Sequence, residues 1–172
     1  TDVVFGIAPR INAAGRIEHG KRAVQLLIET NESKAKDFAE GIENHNTERK
    51  ELDQNITNEA LEMIDDSKKS TVVYSSDWHK GVVGIVASRL IENYYKPTIV
   101  LSEKDGELTG SARSVKGFNL YDALLQCEHL LEKFGGHKYA AGLTLKKENL
   151  RTFIDEFEKV VSRTITTDQL VA

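Results

Sequence analysis

Cysteine is almost missing from this sequence, with Cys127 the only one in 172 residues. A single thiol closes no internal disulfide and builds no cysteine-based zinc site, and the apolar, helical setting of Cys127 reads as that of a buried small hydrophobe. Long apolar runs are lacking as well. No stretch approaches the roughly 20 residues of a membrane-spanning helix, and no charged-then-apolar leader follows Thr1, so the expectation is a cytoplasmic fragment with no membrane partner. An excess of basic residues is also absent. The net charge of −4 at first argues against a nucleic-acid ligand, which attracts basic surfaces. Its distribution reverses that argument: residues 31–69 hold 6 Lys+Arg against 11 Asp+Glu, which leaves 17 against 16 elsewhere. The acidity sits mostly on one segment, and a local positive groove fits inside the rest.

What is present is an ordinary globular composition, 40% hydrophobic and 29% charged, enough for one core or one core plus an appendage. From about Ser33 to Asp65 no proline occurs, and Phe38, Ile42, Leu52, Ile56, Ala60 and Met63 recur at helical steps. A helix of that length would run ~50 Å. His45, Asn46 and Arg49 interrupt its apolar stripe, which suits a strut between two lobes better than the competing coiled-coil dimer. A shorter helix is expected over Lys21 to Glu29. After Lys69, short apolar runs alternate with helical patterns. Strands are expected at Thr71–Ser75, Thr98–Leu101, Leu108–Arg113 and Gly142–Leu145, and helices at about Gly81–Tyr94, Leu120–Leu131 and Glu148–Ser162. Asp105-Gly106 is a hairpin signal. The fold class is therefore α/β: a compact mixed β-sheet domain flanked by helices, preceded by a long connecting helix.

Three segments carry chemistry. In Phe134-Gly135-Gly136-His137-Lys138-Tyr139-Ala140-Ala141-Gly142, consecutive glycines can turn backbone N–H groups toward one point, and His137 and Lys138 add charge; this is a candidate phosphate cradle. The bland alternative, a glycine cap on a helix ending near Leu131, explains one glycine and not two. Ser111-Ala112-Arg113-Ser114 places two hydroxyls beside a guanidinium whose planar fork suits phosphate oxygens, although a lone arginine at a strand end is more often a solvated surface residue. Pro9 to Arg16, with Arg10, Asn12 and Arg16, reads on its own as a polar loop turning at Gly15. Trp78-His79-Lys80-Gly81 precedes a helix whose N-terminus suits an anion, or else simply covers a core edge. His45 and His129 read as structural, Asp65-Asp66 has no histidine at metal-ligand spacing, and no metal site is expected in this chain.

Together the three segments resemble the RecJ family of single-strand-specific DNA exonucleases, within the DHH phosphoesterase superfamily, over most of the chain. The resemblance implies that residues 1–30 end the DHH phosphoesterase domain, 31–69 form the connecting helix, and 70–172 form the DHH-associated substrate-binding domain. Gly-Gly-His followed by Ala-Ala-Gly marks DHH-associated domains that contact a phosphate. The family's Ser-x-Arg-Ser segment lines the channel that faces the metal site, and its Arg-x-Asn-Ala-x-Gly-Arg pattern lies near the seam between lobes. By that resemblance Arg10, Asn12, Arg16, Ser111, Arg113, Ser114, Gly135, Gly136, His137 and Lys138 bind nucleic acid or its phosphates, with Arg113 and His137 supporting catalysis. It further implies 5′→3′ hydrolysis of single-stranded DNA in repair and recombination, Mn²⁺ or Mg²⁺ bound outside this fragment, and single-strand-binding protein and a RecQ-type helicase as partners. The Asp-His-His metal motif is not in this sequence, so the fragment alone is expected to be inactive. A small-substrate DHH phosphoesterase of the oligoribonuclease type and a non-catalytic nucleic-acid-binding module are the alternatives.

Overall fold

A computed structural model describes residues 32–172. The Pro9–Arg16 segment, with Arg10, Asn12 and Arg16, and the helix expected at Lys21–Glu29 lie outside the described residues. The first described helix, α1, spans Glu32–Glu62, three residues short of the expected end. Past it the chain turns, and the Asp65 carboxylate accepts hydrogen bonds from both the backbone N–H and the hydroxyl of Ser67. Those bonds hold the Asp65 carboxyl below its ordinary range because they favour the charged form. The chain divides into two units at Asn55/Ile56, and the second carries the sheet.

That sheet has five strands in the order β1-β2-β3-β5-β4, where β1 is Thr71–Ser75, β2 Thr98–Lys104, β3 Glu107–Arg113, β4 Lys133–Gly136 and β5 Ala140–Lys146. The pair β1·β2 is parallel and joined through α2, Val83–Asn93, as parallel pairing requires of a connection. All other pairs are antiparallel. The β2–β3 hairpin turns at Asp105 and Gly106, whose φ values of 55° and 78° suit the two-residue turn that the Asp-Gly pair signals. β2 is buried on both faces over Thr98–Ser102, whereas β3 alternates, so only part of the sheet is covered twice.

On one face Ile99, Leu101, Leu108, Ala112, Leu143 and Leu145 pack with α3, Leu120–Gln126, and α4, Leu150–Thr164, whose Phe153 and Phe157 are fully buried. Cys127 belongs to this core, and burial, with Glu156 nearby, pushes its thiol up to about 11; it stays a protonated hydrophobe at neutral pH. On the opposite face Val73 and Val100 pack with Val83, Val86, Ala87 and Leu90 of α2, together with Trp78, Ile56 and Ala60. The helix α2 lies on β2 and β3. The Glu158 carboxylate ties the start of β1 to α4 by accepting from the backbone N–H groups of Lys69 and Ser70.

Two expectations need correction. The helix expected over Leu120–Leu131 stops at Gln126, and a 3₁₀ turn at Glu128–Leu130 leads into β4. The glycines of that strand are therefore not a helix cap. α2 begins at Val83 rather than Gly81, and the Gly81 N–H is taken by Nδ1 of His79 at 2.9 Å.

Candidate functional site

Ser111 and Arg113 lie on the same side of β3, since side chains alternate along a strand. Across the ladder Arg113 pairs with Ala140 and Ser111 with Gly142; beyond them Gly142 pairs with Gly135, and the His137 N–H donates to the Ala140 carbonyl at 2.9 Å. The segments around Arg113 and His137, distant in sequence, thus stand two strand spacings apart, ~10 Å. Between them β5 contributes only Ala140 and Gly142. No large side chain separates the Ser111/Arg113 segment from the Gly135–Lys138 segment.

The guanidinium of Arg113 is held rather than loose. It donates from Nη1 to the Ala112 carbonyl at 2.9 Å and is half-buried against α2, where burial lowers its tendency to be charged, though arginine remains a cation at neutral pH. Its Nη2 lies 3.0 Å from the place a Cβ on Gly84 would occupy, and the Ser111 hydroxyl 3.4 Å from it. Gly84 thus stands beside the guanidinium and the Ser111 hydroxyl, a neighbour that the sequence motifs did not point to. Its one signal was a glycine inside a helix, which costs about 1 kcal/mol relative to alanine. Gly84→Ala should therefore raise the melting temperature slightly while displacing Arg113, and single-strand affinity should fall several-fold; calorimetry paired with an anisotropy titration checks both. Tighter or unchanged binding would remove Gly84 from the site.

The loop from His137 to Tyr139 is pinned to its surroundings. Ser114 N–H donates to the Tyr139 carbonyl at 3.0 Å and Leu120 N–H to the Lys138 carbonyl at 2.9 Å, while the Tyr139 hydroxyl accepts from Gly117 N–H at 3.3 Å. The Ser114 hydroxyl donates to the Phe118 carbonyl at 2.8 Å, so Ser114 braces the loop and keeps only acceptor capacity. Nδ1 of His137 accepts from Tyr139 N–H at 3.3 Å, which in the neutral ring places the proton on Nε2. His137 is exposed, and that Nε2–H is a donor available to an anion. The Lys138 ammonium lies 5.5 Å from the centre of the Tyr139 ring. Gly136 has φ 145°, and a Cβ there would meet the Ala140 carbonyl oxygen at 2.3 Å, so only glycine fits.

The three sequence segments fare differently in space. Ser111 and Arg113 converge with Gly135–Lys138 on one side of the sheet, the Ser114 hydroxyl is turned to the Phe118 carbonyl instead, and Arg10, Asn12 and Arg16 lie outside the described residues. Trp78 is buried, with its indole N–H on Glu59 at 2.8 Å, which is the core-edge reading. Among the described residues no group of three or more His, Cys, Asp or Glu side chains is placed to hold a metal ion. No helix among them is long and apolar enough to cross a membrane.

The DHHA1 domain family model matches residues 50–163, well over half of the chain. The chain belongs to the DHHA1 family, in its RecJ branch. It is 40% identical, over 98% of its length, to the single-stranded-DNA-specific exonuclease RecJ of Bacillus subtilis, and 36% identical, over 94%, to that of Escherichia coli. This DHHA1 chain spans only 22% and 30% of those two proteins. A crystal structure of exonuclease RecJ bound to manganese superposes with a TM-score of 0.86 at 32% identity, covering 99% of this chain and 43% of that one. The RecJ of Thermus thermophilus in complex with Mg²⁺ gives 0.83 at 32% identity, covering 95% of this chain and 26% of that one.

Proposed function

We propose that this chain is the strand-binding part of a 5′→3′ single-stranded-DNA exonuclease that acts in DNA repair and recombination. The observation that carries this reading is the convergence of Ser111 and Arg113 with Gly135–Lys138 across a β5 segment reduced to Ala140 and Gly142. A half-buried guanidinium, a histidine N–H and an ammonium around bare backbone suit a phosphodiester, whose oxygens take charge-assisted bonds from such donors. Arg10, Asn12 and Arg16 add contacts from residues 1–30, the remnant of the phosphoesterase domain. Single-strand-binding protein and a RecQ-type helicase are the partners this reading brings with it.

A Mg²⁺ or Mn²⁺ ion, named for the solved relatives, would activate water and polarise the scissile phosphate. The described residues do not fit such an ion, so its ligands belong to the DHH portion of the full-length protein. What the present residues do is hold the strand and fix the position of its phosphates. That placement alone lowers the barrier by pre-organising the reacting groups.

The chain by itself should bind labelled single strands and leave them intact in Mn²⁺, while the full-length protein degrades them from the 5′ end. Single-turnover assays with and without chelator check this. Chelator-sensitive cleavage by the chain alone would overturn the division of labour. A full-length protein that cleaves dinucleotides but not long strands would instead be the small-substrate phosphoesterase.

A further inference from the structure

The glycines of the sheet fall into two classes. Gly110 and Gly136 are demanded from within, because a Cβ would meet backbone atoms at 1.9 Å and 2.3 Å. Gly135 and Gly142 are not. A Cβ on Gly135 would meet nothing within 4 Å, and one on Gly142 only the Gly110 carbonyl oxygen at 3.8 Å; neither has positive φ. Yet they pair directly across β4 and β5, where glycine is disfavoured unless another backbone approaches closely.

The same side of the sheet continues past this pair into a groove of about 1060 Å³. Its floor includes Thr109 and Thr144, whose hydroxyls lie 3.2 Å apart, and Ser102. Lys133 on β4 and Lys80 on the loop before α2 stand among its lining residues, and neither forms an ion pair among the described residues. Glu103, Asp105 and Glu107 also line the groove, at the hairpin end of the sheet, and set the limit of a path for an anion. From Arg113 to Thr109 the path along β3 is four residues, ~13 Å. That is longer than one phosphate requires.

We infer that this groove is a second phosphodiester subsite, in which the next nucleotide of a bound single strand lies over the Gly135–Gly142 pair, with Lys80 and Lys133 as its cations. The inference rests on the strand-binding function proposed above and gives that strand a course along β3 and β5. The bare pair lets the sugar–phosphate backbone approach, the Thr109/Thr144 hydroxyl pair has one O–H left to donate, and the lysines neutralise charge without reading bases.

The test titrates the full-length protein with two probes, the mononucleotide dTMP and a dT decamer, over a range of salt. For Lys80→Ala/Lys133→Ala, both exposed positions, decamer affinity should fall at least tenfold at low salt and the salt slope by ~0.7, for the one single-strand phosphate the subsite neutralises; dTMP affinity should not change. Gly142→Ala, which alters no charge, should weaken the decamer with an unchanged slope and an unchanged melting temperature. Wild-type decamer affinity and slope in the double variant would overturn the subsite, as would an equal loss for dTMP. Arg113→Ala tests the strand-binding function separately. If it leaves both probes untouched while the lysine double variant loses the decamer, the groove stands and the cradle at Arg113 does not.

Discussion

Gly136→Ala should destabilise the sheet-bearing unit by about 3 kcal/mol, while Gly135→Ala, one residue away, should melt with the wild type. The difference follows from backbone geometry. At Gly136 φ is 145°, a region L-residues resist, and the added methyl would stand 2.3 Å from the Ala140 carbonyl oxygen and 2.5 Å from the Ala141 Cα. Both obstacles are backbone of the paired strand, so the β4–β5 hairpin must open to admit it. At Gly135 the same methyl enters open space. Denaturant unfolding followed by the fluorescence of Trp78, the only tryptophan, checks the pair. Equal midpoints would mean that β4 is too loosely held to constrain anything, and would undo the rigid cradle. A separation confined to stability shows that Gly136 shapes the loop, and that loss of activity in a Gly136 variant is no evidence of direct phosphate contact. His137→Ala is the cleaner probe of the donor, since its side chain is exposed and carries no burial.

Arg113→Ala should cost about 1.5–3 kcal/mol of single-strand affinity, more than tenfold, as expected for charge-assisted hydrogen bonds to phosphate. Its salt slope should fall by ~0.7 for each phosphate that the side chain no longer neutralises. The effect should be similar for all sequences, because bonds to phosphate carry no base information. Lysine should restore part of the affinity only, since it keeps the charge but not the planar fork. Titrations at three or four salt concentrations give both quantities. If affinity and slope match the wild type, Arg113 serves only to fill the space beside Gly84 on α2.

Some of this architecture is written locally. The Asp105-Gly106 pair specifies a two-residue hairpin because both residues accept positive φ, and the turn stands there. The apolar run of β2 and the alternation of β3 follow from one strand being covered on both faces and the other on one, so their positions are readable from neighbouring residues alone. β1 falls at its expected bounds for the same reason. The edge strand β4 is different. Its Lys-Phe-Gly-Gly sequence has little strand propensity, and it is extended because β5 offers a ladder, a partner that no window around Gly135 contains.

The same division holds for the candidate site. Residue types and spacing already singled out Ser111, Arg113 and Gly135–Lys138 as anion-binding material, because hydroxyl, guanidinium, imidazole and free backbone N–H groups have that chemistry wherever they stand. Sequence could not show that Ala140 and Gly142 stand between those two groups, that the Arg113 guanidinium lies against Gly84, or that Gly136 is fixed by the fold while Gly135 is left open. Chemistry belongs to single residues and short segments, so the sequence alone determined which groups of this chain have anion-binding chemistry. Proximity belongs to the register of strands that meet only when the sheet assembles, so the tertiary structure alone decided which of those groups stand together.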